Sequence, residues 1–202
     1  MLTAYEPSMT MADARARYFE VNGFGADGGY GDKWVDFKLG PLPMPVPNTA
    51  GRVRAVGYHD LHHVVTGYDT DTIGEFEISA WEIAAGCKDV GAAWVLNLAG
   101  MGGGAFAAPR RTLRAFLRGR RMETLYGRDL DTLLQRRVDE VRALVTEGAP
   151  RPIGAADHAL FGLATAAGLV VGAALLAVVV PLMPIGLATL ALRRRQNRAA
   201  AR

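Results

Sequence analysis

Apolar residues recur at three and four positions along most of this chain, a helical period, and the stretches that break it divide the sequence into parts. A short helix is expected from about Thr10 to Val21. Glycine and proline then take over as far as Arg52, and the prolines from Pro41 to Pro47, alternating with Leu42, Met44 and Val46, exclude a helix. An extended, polyproline-like strap is expected there, serving either as a loop over the helical core or as a lid over a pocket. The helical period resumes through Tyr58–Thr66. It is interrupted by Gly67 and the turn-forming run Tyr68-Asp69-Thr70-Asp71, then continues to Ala85 or Gly86, which predicts a helical hairpin.

Residues 92–108 are apolar and rich in small side chains, which suits close helix approach or a flexible loop. Gly100, Gly102 and Ala105 satisfy a dinucleotide-type spacing, but no strand pattern bearing an acid follows them, so nucleotide binding is not expected. After Pro109 the arginines 110, 111, 114, 118, 120 and 121 interleave with Leu113, Phe116 and Leu117 as a basic amphipathic helix. It suits anionic lipid head groups or plain solvent; nucleic acid is not expected, because no stacking platform accompanies the charge. Leu130, Leu133, Leu134, Val138, Val141, Leu144 and Val145 predict one core helix over Asp129–Val145, ended by Gly148, Pro150 and Pro152.

From Ala159 to Leu192 there are 34 residues without a formal charge. A straight helix of that length would measure about 51 Å against about 30 Å of hydrocarbon, so a membrane segment with a break at Pro181 and Pro184 is expected. Gly168 and Gly172 would let another helix pack closely, from this chain or a second copy. The expected fold is therefore all-α: a helical bundle with a metal-binding helical hairpin, plus a C-terminal membrane-inserted helical tail. Its parts are an N-terminal helix and strap (1–52), a helical metal-binding core (53–147), a linker (148–158), the membrane segment (159–192) and a basic tail (193–202).

Arginines 193, 194, 195, 198 and 202 favour a cytoplasmic carboxyl end. The first twenty residues carry Glu6, Asp13 and Glu20 with no apolar signal core, so the domain is also expected on the cytoplasmic face, a bacterial inner membrane suiting it best. Both ends on one side imply a re-entrant or hairpin tail, with a single span as the alternative. Cys87 is the one cysteine, which excludes an intramolecular disulfide, and its alanine- and glycine-rich surroundings suit a small buried side chain.

The chemistry concentrates between Tyr58 and Glu82. His59 and His63 stand one helical turn apart, so their rings project from one face within reach of a single ion. Glu75 lies about a turn beyond the bend, where antiparallel packing brings its carboxylate toward them. Asp60 is a further ligand or a general base, and Glu82 suits either a carboxylate behind the ligands, accepting an imidazole N–H as Asp60 also could, or a surface glutamate.

The spacing His59, Asp60, two residues, His63, eleven residues, Glu75 resembles the H-D-x-x-H-x11-E signature of the Coq-four family of ubiquinone (coenzyme Q) biosynthesis proteins. The likeness extends to Gly74, to Trp81-Glu82, and more loosely to Gly119-Arg120-Arg121 and the segment 130–147, about half of the chain. Two features depart from it: His62, where many members carry a bulky apolar or aromatic residue and which offers a further nitrogen, and the apolar tail. The resemblance implies oxidative decarboxylation at C1 of a prenylated 4-hydroxybenzoate-type precursor, with His59, Asp60, His63 and Glu75 at a divalent ion. Zinc is expected, and iron, manganese or cobalt would be accepted by the same donors. The competing expectation is a noncatalytic lipid-binding scaffold that organises other quinone-biosynthesis enzymes. Expected partners are the prenylated precursor or another lipid, the membrane, and further copies of the chain or other proteins of quinone biosynthesis.

Overall fold

Four helices begin at a side chain that replaces a missing helical partner: Thr10, Thr49, Asp71 and Asp129 each accept the backbone N–H three residues ahead. In the computed structural model, which describes residues 5–39, 42–145 and 152–200, the element order is α1 (Met11–Asn22), β1 (Trp34–Leu39), β2 (Leu42–Pro47), α2 (Ala50–Thr66), α3 (Thr72–Ala85), α4 (Gly91–Ala107), α5 (Pro109–Gly119), α6 (Leu130–Gln135), α7 (Val138–Val145) and α8 (Ala155–Ala200). The fold is all-α with one two-stranded ribbon. Leu61 and Val64 of α2, Trp81 of α3, Met101 of α4, Leu125, and Val138 and Val141 of α7 meet in the core with no exposed surface. Helix α3 lies between α2, α4 and α5, so the hairpin of α2 and α3 is held on several sides.

Several expectations need correction. The strap is a ribbon: β1 and β2 pair antiparallel in register from Trp34 with Pro47 to Leu39 with Leu42. Proline cannot donate to a ladder, but a two-stranded ribbon has outward edges that ask for no donor. The ribbon packs on α8, where Gly186 meets Pro45 and Trp34. Of the two expectations for the run 92–108, close helix approach holds: it lies in α4 as far as Ala107, and its small residues make room for neighbours. The predicted helix over Asp129–Val145 is two, because the N-terminal segment claims the backbone between them: Met11 N–H donates to the Arg136 carbonyl and Val138 N–H to that of Met9. Arg136 is consequently extended.

The tail does not break at its prolines. Helix α8 runs without interruption through Pro181 and Pro184, and the linker is shorter than expected, since α8 begins at Ala155 and Asp157 pairs with Arg120. The boundary expected at Gly148 and Pro150 lies outside the described residues. By length and composition α8 can cross a membrane: its apolar stretch covers Ala155–Thr189, and only 6% of its most apolar window is buried, unlike a core helix. The close-approach glycines are used within this chain. A Cβ on Gly168 would collide with the Leu98 carbonyl, and one on Gly102 with the backbone at Gly168.

Replacing Gly168 with leucine should therefore force α4 and α8 apart at a cost of about 1–3 kcal/mol. Gly162, with open space around its Cβ position, should accept leucine without loss. Thermal unfolding in mild detergent followed by circular dichroism checks this; equal midpoints for the two variants would show that α8 is not held by the glycine contact.

Candidate metal centre

The turn between α2 and α3 fixes the centre. Gly67 ends α2 in the left-handed conformation at φ 77°, which a side chain would strain, and Asp71 caps α3. Between them the loop doubles back so tightly that a Cβ on Gly74 would strike the backbone of Asp69. This sets Glu75 in the first turn of α3, facing α2. Arg118 of α5 closes the other side, donating twice to the Thr66 carbonyl and lying 5.1 Å from the Tyr68 ring centre.

His59 Nε2 stands 3.1 Å from Glu75 Oε2 and 3.2 Å from His63 Nε2, while His63 Nε2 is 3.3 Å from Glu75 Oε1. The ligand atoms of His59, His63 and Glu75 all lie within 4.8 Å of one another, so this group could hold a metal ion. The opposite nitrogens are both tied to acceptors: His59 Nδ1 is 3.0 Å from Glu82 Oε1, and His63 Nδ1 is 3.0 Å from the Tyr68 carbonyl. Each Nδ1 thus donates a proton to its acceptor, which leaves Nε2 as the nitrogen each ring turns toward the other ring and toward a carboxylate. Once the proton on His59 Nε2 is displaced, two imidazole nitrogens and a carboxylate converge there, which is a donor set that a divalent metal accepts.

His62 is not a further ligand, because both of its nitrogens are occupied. Its Nε2 accepts the Leu125 N–H at 3.0 Å, so its Nδ1 bears hydrogen and donates to Glu82 at 2.7 Å. Burial outweighs the nearby Glu82 and lowers its pKa, which keeps the ring neutral. Asp60 points elsewhere: its Oδ2 accepts the Tyr30 hydroxyl, and it is not among the three groups that converge. Burial pushes the Asp60 carboxyl up, against the hydrogen bond from Tyr30 and the neighbouring imidazoles.

Glu82 has no exposed surface and collects four donors, from His59, His62, the Tyr126 hydroxyl at 2.7 Å and the Asn97 amide. Burial raises its pKa, but His59 and His62 more than compensate and hold it well below the usual carboxylate range. The same balance holds Glu75 at about 2, with His63 and then His59 opposing burial. His59 itself is pushed down by burial but drawn well above the usual histidine value by Glu82 and Glu75.

Tyr30, Asn97 and Tyr126 were not singled out by the sequence, and neither was Tyr18, whose ring stacks 5.6 Å from that of His63. Cys87 is buried as expected, its sulfur 3.7 Å from the Asn97 amide. On α5, Arg111 pairs with Glu77, and Arg118 and Arg120 bind within the chain; Arg110, Arg114 and Arg121 are exposed. No family model matches this chain, and no curated protein or solved structure matches it either.

One divalent ion should bind per chain, and His63→Ala should abolish it, because the remaining donors leave too little charge and geometry. His62→Ala should retain the ion while losing stability from the core. Elemental analysis of purified variants checks both, and full occupancy in His63→Ala would overturn the ligand assignment.

Binding should also be linked to protons. Since His59 has a folded pKa above its unfolded value of 6.5, its contribution to the metal-free fold is complete below pH 6.5 and is lost as pH rises through the folded pKa. Glu75 acts in the opposite sense, contributing above its unfolded 4.5 and losing that contribution as pH falls toward about 2. A metal must displace the His59 proton, so about one proton should be released per ion near neutral pH, and apparent affinity should rise with pH. Titration calorimetry in buffers of different protonation enthalpy reads this directly.

Proposed function

We propose that this protein is a membrane-associated, metal-dependent enzyme of ubiquinone biosynthesis, performing oxidative decarboxylation at C1 of a prenylated 4-hydroxybenzoate-type precursor on the cytoplasmic face of a bacterial inner membrane. The observation that carries the reading is the convergence of His59 Nε2, His63 Nε2 and the Glu75 carboxylate with both Nδ1 protons held from behind. The resemblance of their spacing to the Coq-four signature supplies the reaction class. Zinc is the ion we assign, iron, manganese and cobalt being the alternatives that the donor set accepts.

A divalent ion bound there would act as a Lewis acid, chelating ring oxygens of the substrate and stabilising negative charge as carbon dioxide departs. The protein's own groups then have separate tasks. Glu82 and the Tyr68 carbonyl keep the rings of His59 and His63 oriented with Nε2 outward. Glu75 has a third of its side chain exposed, which gives the centre an open side, whereas His63 is enclosed under the Tyr18 ring. Asp60, whose carboxylate holds the Tyr30 hydroxyl, is not one of the converging ligands. Loss of the carboxyl group and gain of a hydroxyl remove two electrons from the ring, and an external oxidant such as dioxygen must accept them. Helix α8 suits a substrate whose prenyl chain stays in lipid, since each methylene drawn into water costs about 0.8 kcal/mol.

The test is release of labelled carbon dioxide from a prenylated 4-hydroxybenzoate carrying ¹³C in its carboxyl group, with metal-loaded protein in vesicles under air. Release is expected from the parent chain, falling by more than about a hundredfold in His63→Ala, since losing even a partner behind a ligand costs about 10- to 100-fold. A metal-loaded protein that restores quinone synthesis in cells but releases no label would favour the scaffold.

A further inference from the structure

Large apolar side chains stand exposed toward both ends of α4 and along α8. From Val90 to Pro109 the chain has no charged residue. The inner side of α4 packs Ala93, Asn97 and Met101 against the core, yet Trp94, Val95, Leu96 and Phe106 lie exposed, Phe106 to 77%. Helix α8 adds Leu163, Val170 and Val178. A soluble monomer rarely leaves so much apolar area open.

How α8 is held decides what covers that surface. It is fastened along its length: Asp157 to Arg120, Phe161 against Phe116, Gly168 against Leu98 and Gly102, Gly172 against Ala99, and Gly186 against Pro45 and Trp34. From Asp157 to Gly186 these contacts cover about 44 Å at 1.5 Å per residue, more than the ~30 Å of a bilayer's hydrocarbon. The order of the contacts, 102 with 168 and 99 with 172, makes α4 antiparallel to α8. Behind α4 lies α3 with Glu75 and Glu77, and beside it α2 with Arg52 and Arg54. If α8 stood upright across a bilayer while keeping these contacts, it would draw those helices and their charges to hydrocarbon depth, at several kcal/mol per charge.

We propose that α4 and α8 lie side by side in the plane of the membrane, their outer faces among the acyl chains of one leaflet, so that α8 anchors the domain side-on without crossing. The proposal refines the membrane association in the proposed function and is independent of the metal chemistry. Charge supports the orientation. Helix α5 follows α4 directly and exposes Arg110 and Arg114, with Arg121 just beyond its end, toward the anionic head groups expected beside a buried apolar face. Trp94 fits an interfacial depth: its ring is partly exposed while its N–H is satisfied by the Lys88 carbonyl. An in-plane helix also leaves both chain ends on one side, with no reversal needed at Pro181 and Pro184.

The experiment uses the full chain bound to phosphatidylcholine–phosphatidylglycerol vesicles whose acyl chains are brominated, with an epitope tag at each end. With Trp34, which packs against Gly186 of α8, replaced by phenylalanine in every sample, brominated chains should quench the tryptophan emission of the parent protein, and Trp94→Phe should lose a large part of that quenching; Trp81 is fully buried and is common to both. Protease added to sealed cell-derived membrane vesicles of one orientation should remove both tags or neither. Equal quenching of parent and Trp94→Phe on bound protein would overturn the proposal, because something other than lipid, such as a second copy, would then cover α4. Removal of a single tag would overturn it too, showing a spanning α8. Failure of the chain to bind vesicles at all would bring down the membrane association in the proposed function as well, whereas metal content measured on the same sample tests the centre separately.

Discussion

The carboxylate of Glu82 is the constraint on which the rest of this structure depends. A fully buried charge is costly unless its lone pairs are all occupied, and four donors occupy these. They come from different parts of the chain: two imidazoles of α2, an amide of α4, and a tyrosine beyond α5. Satisfying one anion therefore brings α2, α3, α4 and the segment after α5 to a common point. The same hydrogen bonds orient His59, so what stabilises the core also presents its Nε2 at the centre. Asn97 links this network to α4, and α4 in turn carries α8, which makes a continuous packed path from the histidines to the apolar outer surface.

Close backbone approach is the second organising device. Gly102 and Gly168 bring α4 and α8 together, Gly119 lets α5 close on the Trp81 carbonyl, and Gly104 makes room for Phe76. Within an apolar sequence, such contacts replace the polar pairing that elsewhere fixes helix against helix. Pro181 and Pro184 lie inside α8, which continues through both.

What the sequence revealed was whatever depends on nearby residues. Gly67, Asp71 and the histidine spacing lie within one hairpin, and the caps, the turn and the meeting of His59, His63 with Glu75 follow from local rules. The Glu82 partners were hidden because Asn97 and Tyr126 are 15 and 44 positions away, Asn97 alone in an apolar, small-residue run and Tyr126 in a charged segment with no pattern that points to Glu82. Asp60 misleads for the opposite reason: it is adjacent to His59 in sequence, but adjacent residues on a helix diverge by about 100°, and its carboxylate turns to Tyr30. The division into α6 and α7 depends on Met9 and Met11, which no periodicity over 129–145 could reveal. The helical state of 92–108 was obscured by its glycines, whose low propensity is overridden by packing on two sides.

The tight turn between α2 and α3 has one more consequence. Gly67, the Tyr68 carbonyl, the Asp71 cap and the closed contact at Gly74 leave no slack between His63 and Glu75. The eleven intervening residues act as a ruler: a single insertion after Asp71 would carry Glu75 about 100° around the axis of α3 and away from both rings. Length in this segment is accordingly under a stricter restriction than composition. Val64, Gly67, Asp71 and Gly74 are held as well, but it is the number of residues between His63 and Glu75 that sets their meeting.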